Sequence, residues 1–249
     1  FNEQYPNVTI TVNPINYTDG DQLLTTAINS GSAPDIIFEG PERIVGNYAR
    51  NGLMVDLSDL WTAGGSDISE SISSVSQLDG TYYMYPLSVA AHCMAINYEV
   101  FEAAGALQYI DEETRTWTTD DFVAACQALK DAMDAGTITM AETGIIYCGA
   151  QGGDQGTRAL VNNLYSDYYV TEDGTSYNAN SANNVKALTL LQSMVNEGSL
   201  SANASFAAAD ELQAFANQTC AVSFCWNYAN YTQYAAQTQF CLLYTSPSP

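Results

Sequence analysis

Glu39, Glu42 and Arg43 stand close together just past a short apolar run, Ile36-Ile37-Phe38, which lies between Pro34 and Gly40-Pro41. A guanidinium presents several donors in a planar fork and carboxylates present only acceptors. Such a group suits the hydroxyls of a polar small molecule. The run before it reads as a buried strand, and 42–51 reads as a helix closed by Gly52. Open α/β sheets place ligands where a buried strand opens into a helix.

Other residue groups suggest other chemistry. Glycoside hydrolysis needs two carboxylates flanking one bond, and Asp35, Glu39, Glu42 and Asp154 lie near expected strand ends. With 28 Asp and Glu in the chain, some such pair is unavoidable, so solvated acids are the plainer reading. His92 is the only histidine. A Ser-His-Asp triad would have to use it, and no GxSxG elbow is present. A hinge or packing role is expected for His92, and a histidine-rich metal site is excluded. The glycine-rich loop 149–156, which carries Asp154, could cradle an anion at a helix N-terminus. It has neither the GK[ST] ending of a P-loop nor GxGxxG spacing, so it reads as a βα loop able to line a cleft. Tyr82, Tyr83, Tyr85, Tyr98, Trp226, Tyr228 and Tyr231 fall near expected strand ends. Aromatic faces there can stack on sugar rings, or can simply pack.

Composition narrows the partners. Six Lys and Arg against 28 Asp and Glu give a net charge of −22, which argues against nucleic acid and anionic membrane surfaces. At 47% hydrophobic residues over 249 positions, one large or two ordinary domains are possible. No apolar run reaches the ~18–20 residues that a membrane span needs. Cys93, Cys126, Cys148, Cys220, Cys225 and Cys241 form no CxxC pair, so zinc is not expected. Most of them read as small buried hydrophobes.

The elements that would position these groups follow from periodicity. Val8, Ile10 and Val12 alternate with threonines as a half-buried strand. Leu23, Leu24, Ala27 and Ile28 share a helical face stopped by Gly31. With the 36–38 strand and the helix after it, this order predicts a parallel sheet with right-handed crossovers. Asp79-Gly80 marks a tight turn. Residues 93–97, 145–148 and 220–224 read as strands. Thr118 to Asp121 offers helix caps before Phe122, Ala125, Leu129 and Met133. Val185, Leu188, Leu191 and Val195 mark a long amphipathic helix stopped by Gly198. Residues 206–215 form a further helix. The chain opens like the last turn of a helix, and 242–249 breaks with the periodic text before it. That end reads as a non-native or disordered tail, 241–249.

Five stretches in order carry a resemblance: APDIIFEGPERIVGNYARNGLMVDLS (33–58), LDGTYYMYPLSVAAHCMAINYEVFEAAG (78–105), TWTTDDF (116–122), ALTLLQSMVNEG (187–198) and FANQTCAVSFCW (215–226). As a series they resemble the extracellular solute-binding proteins of ABC transporters, in the sugar-binding group that includes the maltose-binding protein. The resemblance implies an α/β, periplasmic-binding-protein-like two-lobe fold (type II), incomplete at both ends. Residues 1–88 would be a first lobe lacking its first strand and helix, 89–92 the hinge crossing with Ser88, Ala90 and His92 at or beside it, and 93–240 the second lobe. Glu42 and Arg43 stand where an Asp-Arg pair reaches sugar hydroxyls. Glu39 stands in place of a stacking Trp, and Ala90 in place of a sugar-contacting Glu. Tyr85 precedes the crossing, Trp226 looks like the second lobe's stacking Trp, and Asp154 lies in a loop matched by position. The implied protein is a monomeric binding component, without catalysis, metal or cofactor. It would capture a carbohydrate between its lobes and deliver it to permease subunits, from the periplasm or from a lipid anchor. A peptide or polyamine ligand, or a polysaccharide-acting hydrolase, are the alternatives.

Overall fold

The computed structural model describes residues 1, 3–16, 19–149, 153–171 and 175–247. The chain divides into two units, Phe1–Val89 and Ala90–Pro249.

The first unit is built on helices. α1 (Gly20–Asn29) buries Leu24. α2 (Pro41–Arg43) has proline at its start, where no amide donor is needed, and runs on into a π-helical stretch, Ile44–Ala49. Ile44, Val45 and Tyr48 join Leu24 in a small core flanked by Ile28, Ile37, Met54, Leu78 and Met84. α3 (Ser58–Gly64) contributes Trp61, whose ring stacks 4.2 Å from Tyr82 and whose indole N–H donates to the Met84 carbonyl at 2.8 Å. After α4 (Glu70–Val75), β1 (Gln77–Leu78) and β2 (Thr81–Tyr82) pair antiparallel. Asp79 and Gly80 between them take φ of 51° and 84°. Two successive positive φ values make the hairpin turn that Asp-Gly favours.

The two strands expected in this unit do not form. Residues 8–12 and 36–38 belong to no helix and no sheet. Ile36 and Phe38 are 85% and 78% exposed, and Val8, Ile10 and Val12 also face solvent. Apolar alternation describes a face. A strand also requires a hydrogen-bonded neighbour, and among the described residues none lies alongside.

The second unit holds a mixed sheet, ordered β4-β8-β3-β7. β3 (Cys93–Asn97) lies at its centre. α5 (Tyr98–Ala103) follows directly, with Asn97 accepting from the Val100 amide. β4 (Thr116–Trp117) leads into α6 (Thr119–Asp134), which starts in a Thr118/Asp121 capping box and buries Phe122, Ala125, Cys126 and Leu129. β5 (Ile145–Tyr147) precedes α7 (Gln155–Leu164) and α8 (Ala182–Glu197). β6 (Ser201–Asn203) pairs parallel with β5. α9 (Ala208–Ala216), β7 (Val222–Trp226) and α10 (Tyr228–Gln233) complete the order up to β8 (Leu242–Pro247). β7 and β8 both run antiparallel to β3, and β4 joins β8 in parallel.

Successive side chains of a strand point to opposite faces, so this sheet separates two cores. Met94, Ile96, Val222 and Phe224 belong to one, which α6, α7 and α8 cover. Ala95 and Trp226 belong to the other, with Leu212 and Phe215 of α9. Of the reading of 241–249 as a non-native or disordered tail, β8 corrects the disordered alternative over residues 242–247. Leu243 packs on the first core and Leu242 and Tyr244 on the second. The Cys241 amide donates to the Glu99 carboxylate, and the Cys241 carbonyl accepts from the Tyr98 amide at 2.9 Å. What looked like a break in periodicity is a strand apolar on both faces.

α8 also turns its stripe from the expected one. Asn184, Ala187, Leu191 and Met194 are buried, while Val185 and Leu188 face solvent. The Asn184 amide group donates to the carbonyls of Tyr168 and Asn178. Burying that polar group fixes the helix rotation. We expect Leu191→Ala to cost about 2–5 kcal/mol of stability and Leu188→Ala to stay within about 0.5 kcal/mol. Urea unfolding of the two variants measures this directly, and equal costs would contradict the observed face.

Candidate functional site

In the first unit one of the sequence-predicted acids, Glu39, meets Arg43, and Glu42 does not. Arg43 leaves α2 with its Nη1 3.0 Å from Glu39 Oε2 and its Nε 3.5 Å from Asp21 Oδ1. Glu39 Oε1 accepts from the Gly40 amide at 2.9 Å, and the Tyr48 hydroxyl donates to Asp21 at 3.2 Å. The guanidinium is thus held between two carboxylates, all half-buried. Burial and the Asp21 charge push the Tyr48 hydroxyl above its ordinary pKa. Asp21 and Tyr48 were not legible as partners, although Asp21 sits in the first turn of α1 as an acid favoured by the helix dipole. Glu42 is exposed and its carboxylate folds back toward Gly40. It remains the acid here free to meet a ligand.

Tyr85 is committed to packing. Its hydroxyl donates to the Gly64 carbonyl at 2.9 Å, and its ring lies 5.6 Å from Trp61. Ser88 and Ala90 are exposed, and the division between the units falls between Val89 and Ala90.

The second unit holds a cavity of about 170 Å³ at the start of β3, lined by His92, Cys93, Gln155, Asn163, Phe224 and Cys225 among others. His92 is exposed, and its Nε2 lies 3.1 Å from the Asn227 side-chain amide. Asn227 caps α10 by exchanging hydrogen bonds with Asn230. Trp226 requires correction as a ligand platform. It is 0% exposed, with Phe215 edge-on at 5.1 Å and Tyr234 at 5.9 Å. The bulge breaks the strand's alternation, so Trp226 faces the second core although Phe224, two residues before it, faces the first. The aromatic ring offered to solvent is that of Tyr228, 78% exposed in the first turn of α10, with Tyr231 one helical turn on.

Asp154 precedes α7 and pairs with Arg158 at 3.6 Å, an exposed ion pair of small energy. Of the glycine-rich loop, 150–152 lie outside the described residues. The others serve close packing. A side chain on Gly156 would collide with the Tyr147 hydroxyl, and one on Gly149 with the backbone at Ser205 and Phe206. The Gly156 amide donates to that hydroxyl at 3.1 Å.

Glu211 escaped the sequence reading. It is fully buried on α9 beside Leu212 and Phe215. One carboxylate oxygen accepts from the Phe224 amide at 2.7 Å and the other from the Ser223 hydroxyl at 3.0 Å. Burial pushes its pKa up to about 8, although both hydrogen bonds favour the charged form. The only sequence signal was an acid on an otherwise apolar helix face. Among the described residues no group of three or more His, Cys, Asp or Glu is placed to hold a metal ion.

A family model described as bacterial extracellular solute-binding protein matches residues 1–240. Over 114 residues the chain is 32% identical to the diacetylchitobiose-binding protein DasA of Streptomyces coelicolor, a stretch covering 46% of this chain and 25% of that protein. An ABC substrate-binding protein from Listeria monocytogenes in complex with cycloalternan superposes with a TM-score of 0.72 at 22% identity, over all of this chain and 62% of that one. An ABC transporter solute-binding protein from Thermotoga lettingae bound with α-D-tagatose gives 0.80 at 16% identity, again over all of this chain and 62% of that one. The fold is therefore that of the type II periplasmic binding proteins. The chain spans a quarter of the curated relative and about three fifths of these structures.

The buried acid gives a pH dependence of definite sign. The unfolded chain loses the Glu211 proton near the ordinary 4.5, whereas the folded chain holds it up to about 8. Between those values the unfolded state binds fewer protons, so this residue's contribution falls as pH rises and levels off above about 8. Glu211→Gln is expected to flatten that part of the curve in denaturant unfolding measured from pH 5 to 9. An unchanged slope would show that Glu211 ionises normally in the folded protein.

Proposed function

We propose, on the premise that the chain belongs to the bacterial extracellular solute-binding protein family, that it is the ligand-capturing component of an ABC importer, and that its ligand is a sugar or short oligosaccharide. The observation that carries this reading is the family match across residues 1–240. Its narrowing to carbohydrate is supported by the diacetylchitobiose-binding relative and by structural neighbours bound to cycloalternan and tagatose. The chemistry on each unit suits such a ligand. Glu42 and the Arg43 clamp offer acceptors and donors to hydroxyls. Tyr228, with Tyr231 beside it, offers an aromatic face for the apolar side of a sugar ring. Asp154, Arg158 and Asn163 add polar groups near the second unit's cavity.

In this reading the protein binds without turnover. It acts outside the cytoplasm as a monomer, periplasmic or held by a lipid anchor, and passes its ligand to permease subunits. Hinge motion at 88–92 accompanies capture.

Calorimetric titration of the chain against a glycan panel, beginning with diacetylchitobiose, tests the ligand class, and chromatography of the same mixtures tests turnover. Binding without new products is expected. For the best glycan, Tyr228→Ala should weaken affinity by about 1–3 kcal/mol, the usual cost of truncating an aromatic anchor. Trp226→Ala should instead lower the unfolding midpoint. Binding of no glycan, or product formation abolished by replacing one acid, would overturn the reading.

A further inference from the structure

All six cysteines are free thiols in this structure, yet two of them, Cys93 and Cys225, line one cavity at the end of the β3–β7 ladder. β3 and β7 pair with Ile96 opposite Val222 and Ala95 opposite Ser223. Continued without a break, that register would set Cys93 opposite Cys225. A bulge intervenes, and Cys93 is opposite Trp226 instead. In a bulge two residues of one strand face a single residue of the other; here Phe224 and Cys225 stand against Met94, which leaves Cys225 one residue away from the position opposite Cys93. The Cys93 thiol lies 3.5 Å from the Trp226 carbonyl. Cys93 and Cys225 line the same cavity, and the two thiols are near enough for the charge of one to raise the pKa of the other.

We propose that Cys93 and Cys225 are a cross-strand thiol pair that closes to a disulfide when a small oxidant enters the cavity they share. The geometry suits the chemistry. Opposite residues of an antiparallel pair bring their Cβ atoms to about 4.5–5.5 Å, a disulfide needs about 3.5–4.5 Å, and Cys225 stands one residue from the position opposite Cys93. A local shift of Cys93 and Cys225 within the bulge is the adjustment required. Cys93 is half-buried and Cys225 buried, so Cys93 is the entry point. Its thiolate attacks one sulfur of an organic disulfide, RSSR, and expels RS⁻, which takes up a proton. The Cys225 thiolate then attacks Cys93 Sγ in the mixed disulfide and expels the second RSH. Two protein thiols lose two electrons and two protons, and the reagent gains both. Burial holds both thiols above their ordinary pKa, Cys225 at about 11, so the exchange is slow near neutral pH and faster in mild alkali. A protein of an extracellular family meets the oxidising conditions in which such pairs persist.

The test uses the chain with its exposed thiols removed, Cys148→Ser/Cys241→Ser, which leaves the pair and the buried Cys126 and Cys220. The protein is incubated with 2-hydroxyethyl disulfide at pH 8.5, a condition set by the ordinary reactivity of thiolates at about that pH. Expected are a mass loss of two hydrogens and a non-reducing peptide map joining the Cys93 and Cys225 peptides. The unfolding midpoint should rise and return with reductant. Adding Cys225→Ser should convert the product into a stable adduct on Cys93. Serine is nearly isosteric, and circular dichroism of each variant checks the fold. A stable adduct on Cys93 with Cys225 intact, linkage between any other pair, or folded protein that keeps its thiols while the denatured chain oxidises would each overturn the proposal.

Discussion

Pairing on both edges of β3 is the constraint on which the second unit depends. A strand bonded on one side only would leave its amides and carbonyls to water. Here Met94 to Asn97 are matched by β8 on one side, and Ala95 and Ile96 by β7 on the other. The strand can therefore be buried completely beyond Cys93, and its alternation serves two cores at once. Because β7 is locked to it, the end of β7 fixes where Asn227, Tyr228 and α10 emerge. The first unit shows the converse. Its segments 8–12 and 36–38 have the apolar text of strands and, among the described residues, no paired neighbour, and apart from Ile37 their apolar side chains remain in solvent.

Much of this was legible because local chemistry decided it. The Asp79-Gly80 turn, the Thr118 cap, the stop at Gly198 and the strand 93–97 depend on residues near one another in sequence. That Glu39, Glu42 and Arg43 share one short stretch was legible too, though not that Glu39 and Arg43 pair. What sequence missed were matters of tertiary partnership. Trp226 reads as a binding aromatic by type and place, but which face of β7 it occupies depends on the register with β3. Leu188 and Leu191 have the same hydropathy, and the hydrogen bonds of Asn184 decide which is buried. Glu211 looked like one acid among many, because nothing local reveals that its carboxylate receives the amide of a strand residue well beyond it.

Glu211 also illustrates how polar groups can specify a mostly apolar interface. Helix α9 lies on the sheet by Leu212, Phe215 and Ala216, and apolar contact alone tolerates sliding. The carboxylate makes two directional bonds to adjacent residues of β7, so a shift by one residue would strand a buried acid. Such networks fix register at some expense of solvation. Tyr147, which accepts from Gly156, plays the same part between β5 and α7, and it explains why a glycine must stand at the helix's second position.

The insertion of β8 between β3 and β4 has a consequence for how the molecule is made. Met94 is paired with Thr245, so the middle of the sheet joins segments that emerge from the ribosome far apart in time. A nascent chain reaching α6 can form helices but cannot complete the ladder around β3. High contact order of this kind slows folding and lengthens the life of incomplete states. In a family of extracellular proteins such a delay has a use, because a chain that stays open until β8 appears is one that a secretion channel can still thread.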